Sequence, residues 1–74
     1  MTIKEAANIY GITYYETTLG DDLIAITRKL YSKDSTKGRE ILTELNPRVD
    51  WDFLPAGEKI AYIRNSYVTV EQSW

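Results

Sequence analysis

Two pairs of carboxylates, Asp21 with Asp22 and Asp50 with Asp52, are the residues whose type and spacing come nearest to acid–base chemistry. Glycoside hydrolysis needs two carboxyl groups facing one bond across roughly 5–10 Å of a cleft. Neighbouring residues at a helix start project in different directions. Asp50 and Asp52 flank Trp51 in a loop and fail the same requirement. The chain contains no histidine and no cysteine. The commonest general base, the commonest zinc ligand and every thiolate site are therefore missing from its chemistry. Asp34 joins these four aspartates in no spacing that resembles a calcium loop. The expectation is a non-enzymatic chain with no catalytic residues, no metal and no cofactor.

Binding chemistry is the alternative, and the large apolar side chains carry it. Trp51 and Phe53 lie in a loop, where an aromatic either folds back over the core or faces a partner. Tyr67, Val68 and Val70 form a β-branched and aromatic run suited to a strand or an extended arm, and Trp74 follows it on a polar tail. Such a run can add to a neighbour's sheet edge. Ile3 and Tyr10 belong to an apolar stripe that packs on the domain or lies in a partner's groove. These eight residues are the candidate partner contacts.

The elements that must position them follow from pattern. Ile3, Ala6, Ala7 and Tyr10 are spaced as one face of a short helix, Thr2 and Glu5 have capping-box spacing, and Gly11 can close it. Ile12 to Thr18 has strand composition. After Leu19-Gly20, Asp21 is placed to cap a helix running from Asp22 to Tyr31, with Leu23, Ile26 and Leu30 inward and Arg28 and Lys29 at the end that favours cations. Asp34 or Ser35 caps a further helix, Lys37 to Leu45, whose buried stripe is Ile41, Leu42 and Leu45. Gly38 weakens its first turn. Asn46-Pro47 stops it. Leu54 to Gly57 reads as a turn and Glu58 to Ile63 as a strand, Ile60 and Tyr62 on one face, Ala61 and Ile63 on the other. The expected order is β-α-α-β with a helical preface and a C-terminal extension, the helices covering a two-stranded antiparallel sheet in an α+β domain.

Composition sets the outer limits. At 74 residues the chain makes one small domain, burying roughly 60–65% of its unfolded surface. Its 43% hydrophobic and 27% charged content is that of a folded globular chain. A net charge of -2, from nine basic and eleven acidic residues, gives no basic excess for a phosphate backbone, so nucleic acid is not the expected partner. No apolar run approaches the roughly 20 residues that cross a bilayer, and the first residues lack the pattern of a secretory leader. A membrane is not expected either, and synthesis in a cytoplasm is.

Three signatures together resemble the LysM module. Tyr14 to Leu23 is similar to its opening, an aromatic strand leading into Gly-Asp-Thr-Leu. Leu45-Asn46-Pro47 resembles its Leu-Asn-Pro, and Leu54-Pro55-Ala56-Gly57-Glu58-Lys59-Ile60 its Leu-x-x-Gly-x-x-Ile ending. Ile26 falls where the family has its helix-one isoleucine. Lys29 to Ser32 and the Leu-Pro-Ala-Gly form are similar to phage tail protein X and related LysM-like tail proteins. The resemblance implies residues 1–11 as an N-terminal extension, 12–64 as the LysM-like domain and 65–74 as a C-terminal extension. It implies a structural adaptor in the hub, wedge or baseplate of a contractile bacteriophage tail, located in the virion and in contact with other tail proteins. The alternative it implies is a carbohydrate-binding module for peptidoglycan or other N-acetylglucosamine polymers. Gly20, Asp21, Asp22 and Leu23 would then form one wall of the groove and Asn46, Pro47 and Leu54 the other; their other reading is helix capping, helix termination and core packing. Asp22 for the family threonine and Thr27 for its alanine depart from the pattern near that groove.

Overall fold

The computed structural model describes residues 2–32 and 34–64. The candidate contacts Tyr67, Val68, Val70 and Trp74, and the run expected as a strand or arm, lie outside the described residues. The elements are α1 (Ile3–Tyr10), β1 (Ile12–Glu16), α2 (Leu23–Tyr31), α3 (Thr36–Leu45) and β2 (Lys59–Ile63). The fold is α+β, and β1 pairs antiparallel with β2 in a two-stranded sheet.

Local chemistry sets the element ends. Thr2 and Glu5 form the expected capping box: Thr2 Oγ1 accepts from the Glu5 N–H at 3.1 Å and a Glu5 carboxylate oxygen accepts from the Thr2 N–H at 2.8 Å. Those bonds hold the Glu5 carboxyl below its usual range. Gly11 closes α1 at φ 82°, ψ 159°, an extended conformation of positive φ that a residue without a β-carbon adopts readily. Asp22, not Asp21, is the cap of α2, accepting from the Ala25 N–H at 2.8 Å. Ser35 caps α3 through the Gly38 N–H at 3.1 Å.

The core gathers Ile3, Ala6 and Ala7 from α1, Ile26 and Tyr31 from α2, Ile41 and Leu42 from α3, and Ile60 and Ile63 from β2. The preface helix is thus part of the same core as the β-α-α-β unit, and it packs on α3 and β2. Ile3 is buried there, which corrects its reading as a partner contact. The inward face of α2 also differs from expectation. Ile26, Thr27 and Tyr31 are buried, while Leu23 and Leu30 are only partly covered. The pattern is shifted because the two polar side chains bury with their hydroxyls bonded: Thr27 to the Leu23 carbonyl at 2.7 Å and Tyr31 to the Ile63 carbonyl at 2.8 Å. On β2, Ile60, Ala61 and Ile63 are all buried, so its two faces do not alternate between core and solvent. Helices α1 and α3 both pack on this strand.

Asn46 explains how the sheet is finished on one side. Its amide donates to the Ala61 carbonyl at 2.9 Å and its oxygen accepts from the Ala61 N–H at 2.9 Å. It also donates to the Leu42 carbonyl at 2.7 Å. A residue whose N–H and C=O both bond away from the neighbouring strand is a non-hydrogen-bonded ladder position. Ala61 opposite Tyr14 is that position, so Thr13–Tyr62 and Tyr15–Ile60 carry the bonds between the strands. The Tyr31 hydroxyl takes the next outward carbonyl, Ile63. At Ala61 and the Ile63 carbonyl the outer edge of β2 is therefore covered by side chains of α2 and of the residue that follows α3.

Candidate functional site

The residues proposed as a saccharide groove divide sharply in the structure. Asp21 is buried: its side chain is 4% exposed against 49% for its partner Lys29. One oxygen bonds the Lys29 ammonium at 2.8 Å, and the other accepts from the Tyr15 hydroxyl at 2.6 Å, the Thr18 N–H at 2.8 Å and the Thr18 hydroxyl at 3.1 Å. Burial opposes ionisation of this carboxyl, but Lys29, Thr18 and Tyr15 together outweigh it and hold the group well below the usual carboxylate range. Hydrogen bonds to Asp21 and Tyr15 raise the Lys29 ammonium, which also lies 5.6 Å from the Tyr15 ring centroid. Asp21 is thus a brace between β1 and α2. Asn46 is buried and fully engaged with Leu42 and Ala61, as described above. Both side chains are buried and bonded within the fold rather than presented to a ligand. Asp22 is exposed and caps α2. Gly20 sits at φ 89° in the turn before it and is exposed, as is Pro47. Leu23 and Leu54 are half-buried against the core.

The aromatic candidates divide as well. Trp51 is half-buried and packs on the core, whereas Phe53, two residues on, is 77% exposed. Their loop is built from short local bonds: the Asp52 N–H to Asp50 Oδ1 at 3.0 Å, the Phe53 N–H to the Asp50 carbonyl at 3.2 Å and the Val49 N–H to the Asn46 carbonyl at 3.2 Å. Asp50 orders this turn through its carboxylate and its carbonyl. Among the described residues no group of three or more acidic side chains is placed to hold a metal ion. No helix is long and apolar enough to cross a membrane, again among the described residues.

A second exposed apolar stretch is continuous in the chain. Ile9 and Tyr10 at the end of α1 lead into Ile12 and Tyr14 of β1, which are 45% and 63% exposed. Sequence reasoning named only Tyr10 of these four. Strand composition from Ile12 to Thr18 does not say which face is covered.

Two residues that organise the site were also missed. Thr17 ties β1 to the loop before β2. Its hydroxyl donates to the Pro55 carbonyl at 2.7 Å and accepts from the Glu58 N–H at 2.8 Å, while its backbone bonds Gly57 and Glu58. A threonine in a run of β-branched residues carries no sign of this. Gly38, expected only to weaken a turn, is a packing residue: a β-carbon there would stand 2.7 Å from Tyr31 Cδ2 and 3.0 Å from Thr27 Cγ2.

No family model matches the chain, and no curated protein or solved structure does either.

Proposed function

We propose that this chain is a LysM-like, non-enzymatic structural adaptor of a bacteriophage tail or baseplate. It would join neighbouring tail subunits in the virion through its exposed apolar loop and strand residues and its C-terminal extension. The β-α-α-β order, with α2 and α3 beside a two-stranded antiparallel sheet, supports the LysM-like reading, as do the three short signatures that surround Asp21, Asn46 and Gly57.

One observation carries the functional part. The polar side chains that a binding groove would use, Asp21 and Asn46, are bonded within the fold, while Ile12, Tyr14 and Phe53 face outward. Exposed aromatics surrounded by polar residues are the usual anchors of protein contacts.

The competing reading is binding of N-acetylglucosamine polymers as a peptidoglycan module. It retains Gly20, Asp22 and Pro47 at the surface and Leu23 and Leu54 half-buried. Two experiments separate the readings. Tail particles purified from the producing cells are expected to contain the chain in fixed ratio to the other tail proteins. Titration calorimetry of the chain with chitin oligomers is expected to give no heat at millimolar sugar. Saturable heat with the oligomers, together with particles that lack the chain, would replace the adaptor reading by the saccharide one.

A further inference from the structure

The two edges of the sheet differ in how much side chains cover them. On the β2 side Asn46 bonds both backbone groups of Ala61 and Tyr31 bonds the Ile63 carbonyl. On β1, Thr13 and Tyr15 bond to β2, and Thr17, two residues on, also bonds inward, to Glu58 and Gly57. Ile12, Tyr14 and Glu16 therefore present their N–H and C=O groups on the opposite side. Among the described residues nothing bonds them. The strand reads Ile-Thr-Tyr-Tyr-Glu, without the lysine, proline or bulge that usually guards an edge. Its outward-bonding residues Ile12 and Tyr14 also have exposed apolar side chains.

We propose that the open edge of β1 receives residues Tyr67 to Val70 of a second copy of this chain as an added strand. The inference deepens the adaptor reading, on which it rests for its setting, by naming a partner. The added segment has the composition of a strand, Tyr-Val-Thr-Val, with no proline and no charge.

Its place in the chain argues for a neighbouring copy as the donor. The segment follows Arg64, on the far side of β1 from the open edge. Two strand spacings, about 10 Å, separate that point from the edge position. The three steps from Arg64 to Tyr67 reach about 10–11 Å at full extension. That leaves no slack for a path that must also pass the Tyr10–Gly11–Ile12 connection, which enters β1 beside Arg64. Edge and arm are different surfaces of one molecule, so the contact is heterologous and repeats from copy to copy unless it closes.

The test uses full-length protein and two variants. Tyr14→Pro removes an outward N–H and leaves the bonds of Thr13 and Tyr15 in place, a position where an edge strand tolerates proline. Val68→Pro disables the arm and alters none of the described residues. Light scattering of the wild type is expected to give a mass at least twice the 8.6 kDa of one chain. The amides of Ile12, Tyr14 and Glu16 are expected to exchange about tenfold more slowly than in Val68→Pro. Each variant alone is expected to be a monomer. Their mixture is expected to form a 1:1 complex, because it restores one intact edge and one intact arm.

A monomeric wild type would overturn the proposal, whether its edge amides are open or are covered by its own arm. So would an oligomer unchanged by Val68→Pro. If Tyr14→Pro does not fold, the wild type and Val68→Pro still decide. Failure here, measured on the purified chain, leaves the adaptor reading to its own test on particles.

Discussion

Asn46 occupies the place a third strand would take beside Ala61. A side-chain amide is the right group for this, because it offers an acceptor and donors with the geometry of a peptide. Asn46→Ala would leave the Ala61 N–H and C=O buried without partners, and the expected loss is about 3 kcal/mol, read from urea unfolding. Asp21 gives a pH-dependent counterpart. Its carboxyl is held below the usual range in the folded chain, against about 3.9 when unfolded. A depressed carboxyl contributes stability that is present above the unfolded value and lost as pH falls through the folded one. Asp21→Asn is therefore expected to lower stability at pH 7 by about 1.5–3 kcal/mol and to flatten the acid limb of the stability curve. The half-exposed Lys29 is screened by solvent, so most of this effect belongs to the hydrogen bonds of Tyr15 and Thr18. An acid limb as steep in the variant as in the wild type would assign the pH dependence to other carboxylates. Tyr31 is held neutral by burial while its hydroxyl donates to the Ile63 carbonyl, and its ring stands edge-on to Tyr62 at 6.5 Å.

At the scale of elements, the approach of α2 to α3 depends on the missing side chain of Gly38. Alanine would favour the helix by up to about 1 kcal/mol but would force Tyr31 and Thr27 aside, at a cost of about 1–3 kcal/mol. Both of those side chains are buried and bonded, so Gly38→Ala is expected to destabilise by about 1–2 kcal/mol in thermal or urea unfolding. A stabilised variant would mean that the helices separate freely. The elements themselves were largely legible. Capping chemistry at Thr2–Glu5, strand composition after Gly11 and the stop at Asn46-Pro47 are local signals, and local signals survive in a single sequence. What escaped was tertiary. The inward face of α2 turned because Thr27 and Tyr31 found carbonyls to bond. Asp21 yielded the cap to Asp22 because Tyr15, Thr18 and Lys29 converge on it from elsewhere in the chain. Gly38 and Thr17 act only through residues that the fold brings to them.

Among the described residues the buried polar side chains, Thr17, Asp21, Thr27 and Asn46, are bonded within the fold, while Ile9, Ile12, Tyr14, Leu19 and Phe53 are exposed. No buried side-chain nitrogen or oxygen among the described residues lacks a partner. The candidate groove was legible as a set of residues, but its side chains serve mainly as structural bonds, and composition could not distinguish those uses. The loop aromatics were legible as a pair, though only the fold separates them. Trp51→Ala is expected to destabilise the domain by about 2 kcal/mol or more, and Phe53→Ala to stay within about 0.5 kcal/mol of wild type. Equal losses would place Phe53 in the core with Trp51. The central claim, that the outward apolar residues meet neighbouring subunits, is tested most directly by placing a photoreactive phenylalanine analogue at position 53 and irradiating intact tail particles. The expected result is a crosslink from that position to an adjacent tail protein. Particles that carry the chain at normal copy number but yield no crosslink from position 53 would contradict it.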